Sequence, residues 1–225
     1  MNIEVVQIRT HTKRNALTLT FLGVFGLALG LGMFLSASGL FAPGMLSFAL
    51  GAISAVLGIS KLIEPEVSVE LNQEGLLYHH RRGSLFIAWN NVQRFDIPKG
   101  VDGIDMIELP FIGIKLKQIN PVLDVIPGRL ATGLLTEQRP LLMSAVTLDE
   151  NLEELESYMN SEFTPLVVNE ERYRGVLAMF GHRCEMLSKN LGYHIYIPFD
   201  CLDRTSDEFI SLLRSYLLQV RQIRE

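Results

Sequence analysis

Five groups of residues in this 225-residue chain have the side chains that chemistry uses. Cys201-Leu202-Asp203-Arg204-Thr205 sets a thiol three positions before a guanidinium, and His79-His80-Arg81-Arg82 is an unbroken basic run. His182 and Cys184 stand two apart, Lys115 and Lys117 alternate, and Arg129, Glu137, Gln138 and Arg139 add further polar groups. A thiolate and an arginine cooperate on a phosphate only when the chain between them wraps around it, and the spacing at Cys201 is too short to close that loop. A strand end followed by a capped helix accounts for the same residues, because Thr205 and Glu208 have capping-box spacing. Adjacent strand residues such as His79 and His80 point to opposite faces and do not readily share a metal. Cys184 belongs to an apolar stripe, and its distance from His182 is not a zinc spacing. No phosphate-binding Gly-rich loop, serine elbow or dinucleotide fingerprint occurs. The reading is therefore a protein with no catalytic residues, no cofactor and no metal site. The alternative is an enzyme or headgroup-binding protein whose unfamiliar site uses Arg129, Glu137, Gln138 and Arg139. Arg81, Arg82, Lys115 and Lys117 read as solvated charges by default, and more sharply as contacts to anionic headgroups or a partner.

These residues hang from an apolar run. Residues 15–60 contain no Asp, Glu, Lys or Arg, and the run is interrupted by Ser36-Ala37-Ser38-Gly39 and by Pro43-Gly44. One bilayer crossing takes about 20 apolar residues, so the run predicts two membrane-spanning helices over about 16–35 and 45–63. A cleaved signal peptide would be shorter and followed by a small-residue cleavage site, and a soluble helix would carry a polar face. Within the spans, Gly23, Gly26 and Gly30, and then Ser47, Gly51 and Ala55, form small faces that let helix backbones approach closely. Gly26, Gly30, Ser47, Gly51 and Ala55 are expected to pack the two helices on each other, with homo-oligomerisation as the sharper alternative.

Charge divides unevenly. Residues 1–65 carry Arg9, Lys13, Arg14 and Lys61 against Glu4 and Glu64, a net charge of +2 that leaves −7 of the total −5 on the remainder. An acidic remainder argues against nucleic acid as a partner, since that binding is driven by phosphate neutralisation. Basic residues before the first span and after the second, with none in the turn, predict two crossings with both termini cytoplasmic. Cys184 and Cys201 fit a reducing compartment.

After Glu64-Pro65 the pattern alternates. Strands are expected near 67–71, 76–80, 85–89, 92–97, 106–109 and 111–117, with Pro98-Lys99-Gly100 ending the fourth. In the last of these Ile112, Ile114 and Leu116 share one face. The second half predicts helices: one opened by Pro127-Gly128 and stopped by Pro140, one capped by Thr147–Glu150 and running to Met159, and one over 169–191 with Asn169 as N-cap. A strand at 193–197 and a helix capped by Thr205 close the chain. Residues 5–8 show no clear period and take no element.

The stretches Val67–Tyr78, Arg82-Gly83 and Ile87–Phe95 resemble the opening strands of bacterial pleckstrin-homology-like domains. The blocks Leu109–Lys117, Glu137–Leu142 and Cys201–Phe209 resemble an uncharacterised family of proteobacterial membrane proteins. The Cys201 motif also resembles the end of the signature loop of Sac-type phosphoinositide phosphatases, but the nucleophile's place, six before Arg204, is held by Pro198. The pleckstrin likeness implies seven strands and one closing helix. The fold expected is thus a two-helix transmembrane hairpin (residues 1–65 with its amino-terminal segment) followed by an α+β domain (66–225). That domain is a pleckstrin-homology-like bent antiparallel sheet or barrel with a C-terminal helix and a helical insertion at about 127–191. The function expected is a non-enzymatic interaction or regulatory module, integral to the lipid bilayer of a bacterial inner membrane, with an unidentified protein partner.

Overall fold

The computed structural model describes residues 5–10, 15–36, 38–102, 105–148 and 164–224. It forms two compact units, residues 10–66 and residues 1–9 with 67–225.

In the first unit α1 (Ala16–Ser36) and α2 (Phe41–Ile63) are joined by a single 3-10 turn at Ser38–Leu40. At 1.5 Å per residue their 21 and 23 residues reach about 31 and 34 Å, enough for a hydrocarbon layer of about 30 Å. Pro43 falls in the first turn of α2, where a missing N–H costs nothing, so the helix starts before Met45 rather than after the proline. The small residues lie where the helices meet. A Cβ on Gly51 would stand 2.5 Å from the Leu27 amide nitrogen, and one on Gly30 would stand 2.7 Å from that of Phe48. Gly26 approaches the Gly51 Cα, Gly23 lies against the Ala55 backbone, and the Ser47 hydroxyl donates to the Gly26 carbonyl at 3.1 Å. Phe21, Phe25, Leu46 and Ile53 face outward and are exposed. Thr10 closes the base of the unit, donating from its hydroxyl to the Pro65 carbonyl (2.9 Å) and from its amide to Glu66 (3.3 Å).

The second unit has β1 (Val6–Arg9), β2 (Val67–Leu71), β3 (Gly75–His80) and β4 (Gly83–Ala88) in one antiparallel sheet, in that order. The segment at residues 5–8, which shows no period, is therefore an edge strand. Ile8 is fully buried and pairs with Val69, and Arg9 pairs with Val67 after a bulge. Ser68 lies buried with its hydroxyl against the carbonyls of Ile8 and Cys201, joining β1, β2 and the approach to the last helix.

A second antiparallel sheet runs β11 (Ile195–Pro198), β8 (Phe111–Leu116), β5 (Val92–Asp96). β6 (Lys99–Asp102) and β7 (Asp105–Glu108) form a separate hairpin, so β5 ends before Pro98 as expected, and Lys99 and Gly100 open a further strand. Among the described residues the sheets are distinct, of four and three strands, and do not close into a barrel. Between β8 and β11 come α3 (Asn120–Val125), α4 (Gly128–Glu137), α5 (Arg139–Leu148), the hairpin β9 (Leu166–Val168) and β10 (Glu171–Tyr173), and α6 (Val176–Asn190). The helix opened at Gly128 ends at Glu137, short of Pro140, which itself sits in the first turn of the next helix, α5. The capping box at 147–150 and the helix to Met159 lie outside the described residues, apart from Thr147 and Leu148 at the end of α5. Asn169 is not an N-cap. Asn169 and Glu170 have φ of +49° and +69° and make the tight turn between β9 and β10, a left-handed conformation that Asn tolerates, and the helix waits for Val176.

The last helix, α7 (Ser206–Arg224), buries Phe209, Leu213, Tyr216 and Val220 in the main core. Tyr216 stacks 5.7 Å from Trp89 and donates its hydroxyl to the Leu71 carbonyl at 3.1 Å. A smaller core, with Phe111, Leu141, Ala145, Leu187, Leu191 and Tyr196, covers the other face of the three-stranded sheet. That sheet is thus buried on both sides, and the inserted helices are what cover its outer side.

Candidate functional site

The turn between β3 and β4 gathers two of the groups that the sequence singled out. His80 is fastened at both ring nitrogens: Nδ1 accepts the Arg82 backbone N–H at 3.2 Å, and Nε2 meets Glu137 Oε1 at 3.2 Å. With Nδ1 an acceptor, the neutral ring carries its proton on Nε2 and donates it to the carboxylate. Arg81 Nη2 reaches the same oxygen at 3.3 Å. The hydrogen bond from His80, helped by the Arg81 guanidinium, holds the Glu137 carboxyl below its ordinary range despite partial burial. The Arg82 stem crosses α4 at Gly133, where a Cβ would stand 2.7 Å from Arg82 Cδ. Gly83, at φ +145°, completes the turn over Pro127. The basic turn is therefore clamped to the inserted helix by an acid supplied from it.

Lys115 and Lys117 do not join this patch. The backbone N–H of Lys117 donates to Asn91 at 2.8 Å, beyond the far end of β4, and six strand residues span about 20 Å. Lys115 is half-buried on the outer face of β8, its ammonium on the Ser188 hydroxyl of α6. Burial and the neighbouring Arg94 lower its pKa. Of the inserted polar residues, Gln138 is buried, and Arg129 and Arg139 are exposed. Neither side-chain amide atom of Gln138 has a hydrogen-bond partner.

Phe199–Cys201 form a 3-10 turn, Arg204 pairs with Asp203 at 2.6 and 3.2 Å, and Thr205 and Glu208 cap α7 reciprocally at 3.1 and 3.4 Å. The Cys184 thiol is fully buried and its pKa is pushed up, while His182 bonds the Thr164 carbonyl at 3.2 Å. Among the described residues no three His, Cys, Asp or Glu side chains converge as metal ligands.

Sequence reasoning missed a cleft of about 380 Å³ at the open end of the smaller core. Ile97, Leu191 and Tyr193 supply apolar lining, and Arg94, Asp96, Lys99, Glu108 and Asp207 supply charge. The Arg94 guanidinium lies 5.2 Å from the centre of the Tyr193 ring. The period-two exposure of Arg94 and Asp96 was visible in the sequence, but four separate chain segments build the cleft, and only the fold unites them.

A family model described as protein of unknown function (DUF2982) matches residues 69–219. The chain belongs to that family. The match spans the strands from β2 onward, the inserted helices and most of α7. No curated protein and no solved structure matches the chain.

Proposed function

We propose that this DUF2982 protein is a membrane-tethered, non-enzymatic interaction or regulatory module that presents a pleckstrin-homology-like domain at the cytoplasmic face of a bacterial inner membrane. The observation that carries the reading is the pairing of β1 with β2. The two strands flank the apolar hairpin in sequence, yet Arg9 and Val67 are register partners, so both ends of the hairpin leave from one sheet edge. Such a sheet needs an even number of crossings, and Arg9, Lys13, Arg14 and Lys61 favour the cytoplasm for both ends. Four strands, then three, then a closing helix support the pleckstrin-like assignment. On that reading the membrane hairpin interrupts the first and second strands, β6–β7 the fifth and sixth, and the helical segment the sixth and seventh.

An interaction role fits better than catalysis because the reactive side chains are occupied. His80 has both nitrogens engaged, Cys184 is buried, and Arg204 is held by Asp203. A headgroup at Arg81 would have to compete with Glu137.

In-cell crosslinking of the full chain followed by mild-detergent isolation and mass spectrometry tests the proposal. One protein recovered in near-stoichiometric amount, with crosslinks to residues 67–225, is the expected result. Recovery of lipid alone would overturn it.

A further inference from the structure

We infer that the cleft beside Arg94 is a binding site for a small amphipathic organic anion, whose carboxylate or comparable oxyanion sits on Arg94 and whose apolar body lies over Leu191 and Ile97. Arg94 and Lys115 are register partners on adjacent strands β5 and β8, so two cations face each other across a sheet. Like charges placed directly opposite are destabilising. No described carboxylate answers either one at ion-pair distance: Lys115 turns to the Ser188 hydroxyl, and Arg94 lies on the Tyr193 ring. Lys99, at the same cleft, also lacks an ion-pair partner among the described residues.

The surroundings keep the guanidinium fork in place. Gly192 has φ +88° and no Cβ, and a Cβ there would come within 3.1 Å of Arg94 Nη2. Stacking on an aromatic face orients the planar fork and leaves its edge for a planar oxyanion, the geometry that Arg recognises in two parallel bonds. Of the rim carboxylates, Asp96 is engaged by Arg214 at 3.6 Å, and Asp207 stands in the first turn of α7, where the helix dipole favours a negative charge. Glu108 faces Lys99 as its register partner across the β6–β7 hairpin. These three acids disfavour polyanions and select a ligand with one anionic group. Charged groups make up most of the lining, and Ile97, Leu191 and Tyr193 supply the apolar part, in a volume large enough for a small molecule.

The test is saturation-transfer NMR on the full-length protein in detergent, titrated separately with phenylacetate, benzylamine and inorganic phosphate. Saturable phenylacetate binding is expected, weakened about tenfold or more by Arg94→Gln and less by Lys99→Gln. Arg94→Gln also reports partition into micelles. Equal titration of the wild type and of this variant would overturn the inference, as would stronger binding of benzylamine or phosphate than of phenylacetate. Thermal unfolding checks the alternative that Arg94 is only a packing residue. Relief of the Arg94–Lys115 opposition predicts an unchanged or higher melting temperature for Arg94→Gln, and a marked fall would count against a binding role. Should that variant fail to fold, Arg94→Lys keeps the charge but loses the fork, and its phenylacetate affinity is expected to lie between wild type and none.

Discussion

The apolar hairpin and the sheet unit are held together in opposite ways. In the hairpin, partners are close in sequence and the recognition is subtractive: two backbones approach because side chains are missing at Gly26, Gly30 and Gly51. In the sheet unit, contacts span the chain and depend on side chains that are present. Ile8 fills the core beside Val69, Ser68 reaches Ile8 and Cys201, and Tyr216 reaches Leu71. The first unit can form as soon as its own residues exist. The second waits for residues on both sides of the first, and its edge strand is delivered from before the hairpin.

The most damaging way to break that dependence is to remove β1. A fragment of residues 67–225 loses a fully buried isoleucine and leaves the β2 edge open. Truncating Ile8 to Ala alone should cost about 2–5 kcal/mol, and losing the whole strand should cost more, against a total stability of about 5–15 kcal/mol for an ordinary domain. The fragment should show no cooperative melt by circular dichroism. Because Arg9 and Val67 are register partners, joining residues 5–9 to residue 67 through a short Asn-Gly turn should restore the melt without the apolar hairpin. A fragment that melts equally well without β1 would show that the strand is an ornament of the edge.

Gly51→Leu asks whether the hairpin fails separately. Its side chain would meet the backbone of Leu27 and Gly26, and backbone cannot step aside cheaply. A cysteine pair at Met33 and Gly44, whose Cβ positions lie 3.0 Å apart, should crosslink in the parent and several-fold less in Gly51→Leu. The melting of the sheet unit should not change. A matching fall in that melt would mean that the two units are energetically one.

Gln138→Met should stabilise the sheet unit. The side chain is 2% exposed and its amide has no hydrogen-bond partner, so burial leaves about 1–3 kcal/mol of desolvation uncompensated. Methionine has a similar volume and no such debt, and a rise of a few degrees in melting temperature is expected. A fall would reveal a bonded water that the glutamine holds.

The hairpin was legible because its signals are local: a charge-free run, small residues at every fourth position, a break near Pro43. The alternation in β2 to β5 and the apolar stripe of α6, from Phe180 to Leu187, were legible for the same reason. β1 was not, because four residues with no period become a strand only when a partner arrives from beyond the apolar hairpin. The start of α6 is not legible, because Asn169 favours both a helix cap and a left-handed turn, and the pairing of β9 with β10 decides between them. At the basic turn the types of Arg81, Arg82 and Glu137 are legible, but their meeting depends on α4 docking beneath β3 and β4. The separation of Lys115 from that turn is likewise tertiary information.

The smallest expected effect lies on the outer face of the doubly buried sheet. His194 Nδ1 accepts the Leu116 backbone N–H at 3.0 Å, and burial, reinforced by Lys115, pushes its pKa down to about 4. In the unfolded chain the same imidazole titrates near 6.5. Between these values the unfolded state binds more protons than the folded one, so stability is full above about pH 6.5 and declines as the pH falls towards 4. Partial exposure lets water screen the protonated ring, so the decline should be shallow. His194→Asn places an amide oxygen where Nδ1 accepts and removes the titration. Denaturant melts of the two proteins between pH 7 and 4 should therefore diverge, with the asparagine variant losing less stability. Parallel curves for wild type and His194→Asn would place the acid sensitivity of this unit elsewhere, with the clamp at Glu137 next in line. Its depressed carboxyl pKa makes stability that is present above the ordinary carboxylate range and lost as the pH drops through the lowered value.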